Sequence, residues 1–94
     1  MFLPSGFRRV WLVVDQIRRN LGRRVRELRT ELGLSQEQVA ERADLHWTHI
    51  SGIERGQYDL KLSTLTRVAR GLGITLSGLF AGIDSARLKT SSRR

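Results

Sequence analysis

Ile17, Leu21, Val25, Leu28 and Leu32 recur at steps of four, four, three and four, and Gly33 ends the series. With about 3.6 residues to a turn, that spacing puts all five on one face of an α-helix. A one-sided helix of this length has to be covered, and the elements that follow are short. Ser35 opens a second helix with Gln38 three residues on, the arrangement of a capping box, and Val39, Ala40 and Ala43 form its inner face. Asp44-Leu45 breaks the periodicity, and a third helix is expected from about His46 to Glu54, stopped by Gly56. After a loop over 57–61, Leu62, Leu65, Val68, Ala69 and Leu72 mark a fourth helix ended by Gly73. Thr75 then caps a short fifth with Leu76, Leu79 and Phe80. No stretch alternates as a strand does. The expected fold is all-α, a compact five-helix bundle over residues 17–83.

Two segments flank that unit. Residues 1–16 read as an N-terminal extension in which Pro4 and Gly6 precede "FRRVWLVVD". That run can extend the first helix, pair as a strand across a dimer, or dock on the core. Residues 84–94 are polar and basic, as expected of a disordered tail.

Charge narrows the partners. Seventeen Lys and Arg against nine Asp and Glu give +8, and fifteen of the seventeen are Arg. Arginine forks onto phosphate and stacks on bases, so the bias suits nucleic acid. The excess is spread along the chain: +1 over 1–16, +4 over 17–80 and +3 over 81–94. With no cysteine there is neither a disulfide nor a thiolate metal site, which suits a reducing cytosol, and a cytoplasmic location is expected. The longest apolar run, "VWLVV" (Val10 to Val14), is too short to span a membrane.

The third helix is odd: Trp47, His46 and His49 crowd its start, and Ser51 and Gly52 sit where bulk is usual. Taking Ile50 and Ile53 as buried and stepping roughly 100° per residue turns Thr48, Ser51, Gly52 and Arg55 away from the core. Trp47 and His49 fall on opposite flanks. Small residues at the centre would let this backbone approach a DNA groove closely. Trp47 has a second reading, packing against residues 57–60. His46 and His49, three apart, can share a helix face with a metal, but neither a cysteine nor a third histidine completes the set, and none is expected. No nucleophile–base spacing or phosphate loop appears, so neither an enzyme nor a cofactor is expected. The arginines of the first helix (Arg18, Arg19, Arg23, Arg24, Arg26, Arg29) read as a solvated face relieved by Glu27 and Glu31.

The pieces "LR.E.GLSQE.VAERA", "ISGIERG" and "LSTL.RVA..LGI", in this order over residues 21–80, resemble the helix-turn-helix domain of the phage Cro and lambda/434 repressor superfamily, the xenobiotic-response-element class. "THISGIERG" is especially similar to controller proteins of restriction–modification systems. The resemblance implies a lambda-repressor-like fold, a scaffolding helix 36–43 across the phosphate backbone and a recognition helix 46–54 in the major groove. It places Trp47, Thr48, His49, Ser51 and Gly52 on the base-reading positions. Gln36, Arg55 and Lys61 fall at phosphate or groove-edge positions. Asp44 stands where the family usually has glycine, and Leu60-Lys61 where Pro-Ser is common. Trp47 and Gly52 replace readers that hydrogen-bond, so direct readout is thin and DNA shape has to contribute.

The expected function is sequence-specific transcriptional regulation by a homodimer on an inverted repeat in double-stranded DNA. A pair reads half-sites about 34 Å apart where one helix tells few bases apart. The first candidate for the dimer face is the fifth helix, through Leu79, Phe80 and Ile83, and the N-terminal segment is second. A restriction–modification controller, and an antitoxin that neutralises a toxin protein, are the alternatives. A toxin or polymerase is a protein partner compatible with these roles, and neither a small-molecule ligand nor a membrane is expected.

Overall fold

A computed structural model describes residues 5–84 of the chain. Its five helices are α1 (Ser5–Glu31), α2 (Gln36–Ala43), α3 (Trp47–Glu54), α4 (Leu62–Gly71) and α5 (Leu76–Leu79), and no strand occurs among the described residues. The all-α expectation holds. α1 runs unbroken from Ser5 through Ile17 to Glu31, so the N-terminal segment and the first helix of the bundle are one element. Of the three options for "FRRVWLVVD", the extended helix is the one taken. The tail after Asp84 lies outside the described residues.

Local chemistry sets each boundary. At the end of α1, Gly33 takes φ +72° and Leu34 N–H reaches back to Arg29 C=O (3.1 Å), closing the carbonyls of the last turn. Ser35 caps α2 reciprocally: its Oγ accepts from Gln38 N–H (3.0 Å) while its own N–H donates to Gln38 Oε1 (2.8 Å). Asp44 ends α2 in the left-handed region at φ +58°, a conformation open to Asp at modest cost. Leu45 N–H then bonds Ala40 C=O (2.9 Å), and the Arg67 guanidinium donates to Asp44 C=O (3.3 Å), tying the corner to α4.

The core sits where the helices meet, and its largest fully buried members are Ile50, Leu79, Val25, Val39 and Val68. One close approach fixes where α3 lies. A Cβ on Gly22 would run into the Ile53 and Glu54 carbonyl oxygens, so glycine is what lets the end of α3 rest on α1. Asn20, also buried, donates to Ile83 C=O (2.9 Å), and Arg24 donates to Gly78 C=O (3.0 Å), so α1 clasps α5 as well.

Candidate nucleic-acid interface

The α2–turn–α3 unit is held from below by an ion pair. Arg29 meets Glu54 through two hydrogen bonds, Nε to Oε2 (2.6 Å) and Nη2 to Oε1 (3.0 Å), and its Nη1 donates to Leu34 C=O (3.0 Å). Both side chains are largely buried. The hydrogen bond to Glu54, with the charges of Glu54 and Glu37 behind it, pushes the Arg29 pKa above the ordinary arginine value against the opposing pull of burial. Arg29 and Arg24 are therefore internal struts rather than members of a solvated face.

Gln36 Nε2 donates to Glu54 Oε1 (3.0 Å), so the first side chain of α2 is anchored to the same carboxylate. That bond leaves Gln36 Oε1 and the second amide proton available at the helix N-terminus, the positive end of its dipole. Sequence spacing gave no sign of this link between α1, α2 and α3.

At the start of α3, His46 is the N-cap. Its Nδ1 accepts from Thr48 N–H (3.3 Å) and lies 2.8 Å from Thr48 Oγ1. Trp47, Thr48 and His49 are exposed, as the reading of this helix requires. Trp47 tilts against His46 with ring centroids 6.1 Å apart and keeps 45% of its surface open.

Ser51 and Gly52 do not stand on that open face. Both are buried. Ser51 Oγ accepts a hydrogen bond from Arg55, whose other Nη donates to Gln57 (3.2 Å). The Tyr58 ring lies over Gly52 in the space that a side chain at 52 would fill. Stepping by angle from Ile50 and Ile53 took solvent to be everything opposite the core, whereas the loop after α3 folds back over its second turn. Glycine at 52 serves that loop, not the close approach of a groove.

Tyr58 is the residue that sequence reasoning missed. It is exposed, and its ring sits beside His49 with centroids 5.9 Å apart. Tyr58 thus extends the outer surface of α3 from a neighbouring loop, at the place where Gly52 offers none. A loop residue carries no periodicity to announce it. The available signal was a mid-helix glycine followed six residues later by an aromatic.

The remaining expected contacts are arranged around this surface. Arg55 is the exposed C-cap of α3, and Lys61 is the exposed N-cap of α4, with no side-chain cap bond of its own. Arg55 shares an open cleft with Arg19, Arg23 and Arg26 of α1; its acid, Glu54, is already engaged by Arg29. Of the dimer face expected from the sequence, Leu79 (0% exposed) and Ile83 (4%) are core residues of the single chain and are not free for a partner. Of the three, Phe80 alone is exposed. Among the described residues no helix is long and apolar enough to cross a membrane.

Comparison with known proteins agrees with this geometry. A family profile described as Helix-turn-helix matches residues 25–79. The chain is 40% identical over 72 residues to the control protein C.MunI of a Mycoplasma species, covering 76% of this chain and 97% of the relative. It is 42% identical over 59 residues to the immunity repressor of Bacillus phage phi105, covering 63% of this chain and 41% of that protein. Among solved structures, the restriction–modification controller C.AhdI from Aeromonas hydrophila matches with a TM-score of 0.65 at 40% identity, over 67% of this chain and 96% of that one. With a profile that spans more than half of it and full-length relatives at this identity, the chain belongs to the Cro/C1-type helix-turn-helix family of DNA-binding transcriptional regulators.

Proposed function

We propose that the protein is a homodimer that binds a short inverted repeat and regulates transcription by occupying it. The observation that carries this reading is the surface formed by Trp47, Thr48 and His49 with Tyr58 beside them. It is exposed and carried on a short helix, as major-groove entry requires. Trp47 and the Thr48 methyl offer apolar contact to thymine methyls, and His49, Thr48 Oγ1 and the Tyr58 hydroxyl offer hydrogen bonds to base edges. Gln36, the N-terminus of α2, Arg55 and Lys61 lie against phosphates and set the register without reading sequence. Ser51 acts through Arg55, by holding its guanidinium at the end of α3.

The act is occupancy, with no bond made or broken. Selecting bound sites from a random DNA pool tests the reading: the expected product is a two-fold repeat with half-sites one helical turn apart. Recovery of unrelated sequences at equal strength would reject it in favour of DNA packing without sequence choice.

A narrower role is supported by two relatives matched over nearly their whole length. C.MunI is called a control protein and C.AhdI a restriction–modification controller. In this role the protein sets the supply of a restriction enzyme by binding ahead of its gene. A bound site upstream of a neighbouring nuclease gene is the expected result, and a toxin gene there would favour the antitoxin alternative instead.

A further inference from the structure

Phe7, Val10, Val14, Ile17 and Leu21 follow one another along α1 at steps of three, four, three and four, the spacing of a coiled-coil seam. The lower part of this stripe serves the chain's own core, where Leu21 is buried and Ile17 packs against it. Among the described residues, none covers the upper part. Phe7 is 44% exposed and Val10 58%, with Trp11 and Val13 also open, and Phe7 meets Trp11 edge to face with centroids 6.0 Å apart. Directly below this pair, Val14 and Ile17 floor an apolar groove walled by Leu60, Leu65 and Phe80.

We infer that this stripe and groove are where two copies of the chain meet, the Phe7–Trp11 pair of each copy seated in the groove of the other. The inference rests on the homodimer reading above and adds the surface that makes it. A projecting apolar pair and an apolar groove lie within two turns of each other on the same helix. An antiparallel two-fold arrangement of α1 brings each projection to the opposite groove, which is the self-complementarity an isologous contact needs.

Area supports the same occupant. Phe7, Val10, Trp11, Val13 and Phe80 leave on the order of 100 Å² each open, so a pair would bury roughly 1,000 Å², about the least that a specific interface covers. The face expected from the sequence cannot replace it, because Leu79 and Ile83 are spent in the core and α5 has four residues. Phe80, its one open apolar side chain, is a wall of the groove, so the two candidate faces form one continuous surface. The chain's own C-terminal segment suits the groove poorly: "SARLKTSSRR" holds one large apolar residue, Leu88. Phosphate has no use for an apolar stripe.

Sedimentation of the full chain without DNA tests the contact. Wild type is expected to run as a pair. Trp11→Glu, from the projection, and Phe80→Glu, from the groove, should raise the dissociation constant at least about thirty-fold. Leu12→Glu, on the opposite side of α1, should leave the pair intact. Circular dichroism should show unchanged helix content, since these side chains are exposed. On DNA carrying a single selected half-site, Trp11→Glu should bind as wild type does. A Trp11→Glu chain that still pairs overturns the interface and leaves the DNA reading standing. A wild type that is monomeric both free and on its two-fold site overturns the interface and the homodimer together. Retention of wild type, but not Trp11→Glu, on phosphatidylglycerol vesicles, with pairing unaffected by the change, would give the stripe to a lipid surface and overturn the proposal.

Discussion

Trp47, Thr48 and His49 stand open at the start of α3, whereas the next four residues, Ile50 to Ile53, are all buried. One eight-residue helix is thus divided between two tasks. Its second turn is gripped from three directions: the core below, α1 at Gly22 and Arg29, and Tyr58 from the following loop. Its first turn meets its own cap at His46 and, beside His49, the ring of Tyr58. An isolated helix this short is marginal in water, so the grip on the second turn is what makes the first turn a fixed shape. Fixed shape is what base readout needs, since ordering side chains at the moment of binding subtracts from affinity.

If the second turn is the anchor, loosening it should cost stability first and DNA binding as a consequence. Glu54→Ala removes the partner of a largely buried Arg29 and frees Gln36. The expected loss is about 3 kcal/mol of folding stability in urea unfolding, because a stranded buried charge costs more than the pair contributes. DNA affinity should fall alongside it. Unchanged stability in this variant would mean that the ion pair does not fasten α3.

Gly52→Ala comes next, at about 1 kcal/mol, as the new methyl pushes the exposed Tyr58 ring aside and the better helix former offsets part of that strain. The double variant Gly52→Ala with Tyr58→Ala should recover much of that loss, since the methyl then enters vacated space. Additive losses would show that the two residues do not share it. Tyr58→Ala alone should also alter the selected DNA sequence if the ring belongs to the reading surface.

The division of α3 also shows what the sequence could reveal. The five helices were legible because apolar spacing, a capping box at Ser35 and stops at Gly33, Gly56 and Gly73 each carry a local signal. Trp47, Thr48 and His49 were legible because the first turn has one packed side, and angle alone then separates in from out. Ser51 and Gly52 were not, because what covers them comes from a loop with no periodicity. The same limit applied to the fifth helix: Leu79 and Ile83 lie on an apolar face, but spacing does not say whether that face belongs to the chain's own core or to another copy. In α1, spacing did not decide among the three courses open to "FRRVWLVVD", and the helix continues because Phe7, Val10 and Val14 keep the seam of Ile17 and Leu21.

The smallest expected effects lie on the open turn and its edge, and they differ in kind. Trp47→Ala should change stability by less than about 0.5 kcal/mol, the range of an exposed substitution. It should weaken the preferred site by about 1–2 kcal/mol and shift which base is favoured at one position of each half-site. Equal loss on preferred and random DNA would move Trp47 from base contact to backbone contact. Arg55→Ala should behave in that second way by design. Its guanidinium is exposed at the end of α3, bonded to Ser51 and Gln57. A phosphate contact there releases about one counterion per chain, so the variant should lose affinity evenly across sequences. The slope of log affinity against log salt should shrink by about one unit for each chain bound. A changed sequence preference with an unchanged slope would instead put Arg55 on a base edge, and the boundary between the reading turn and the anchoring turn of α3 would then have to be drawn further along the helix.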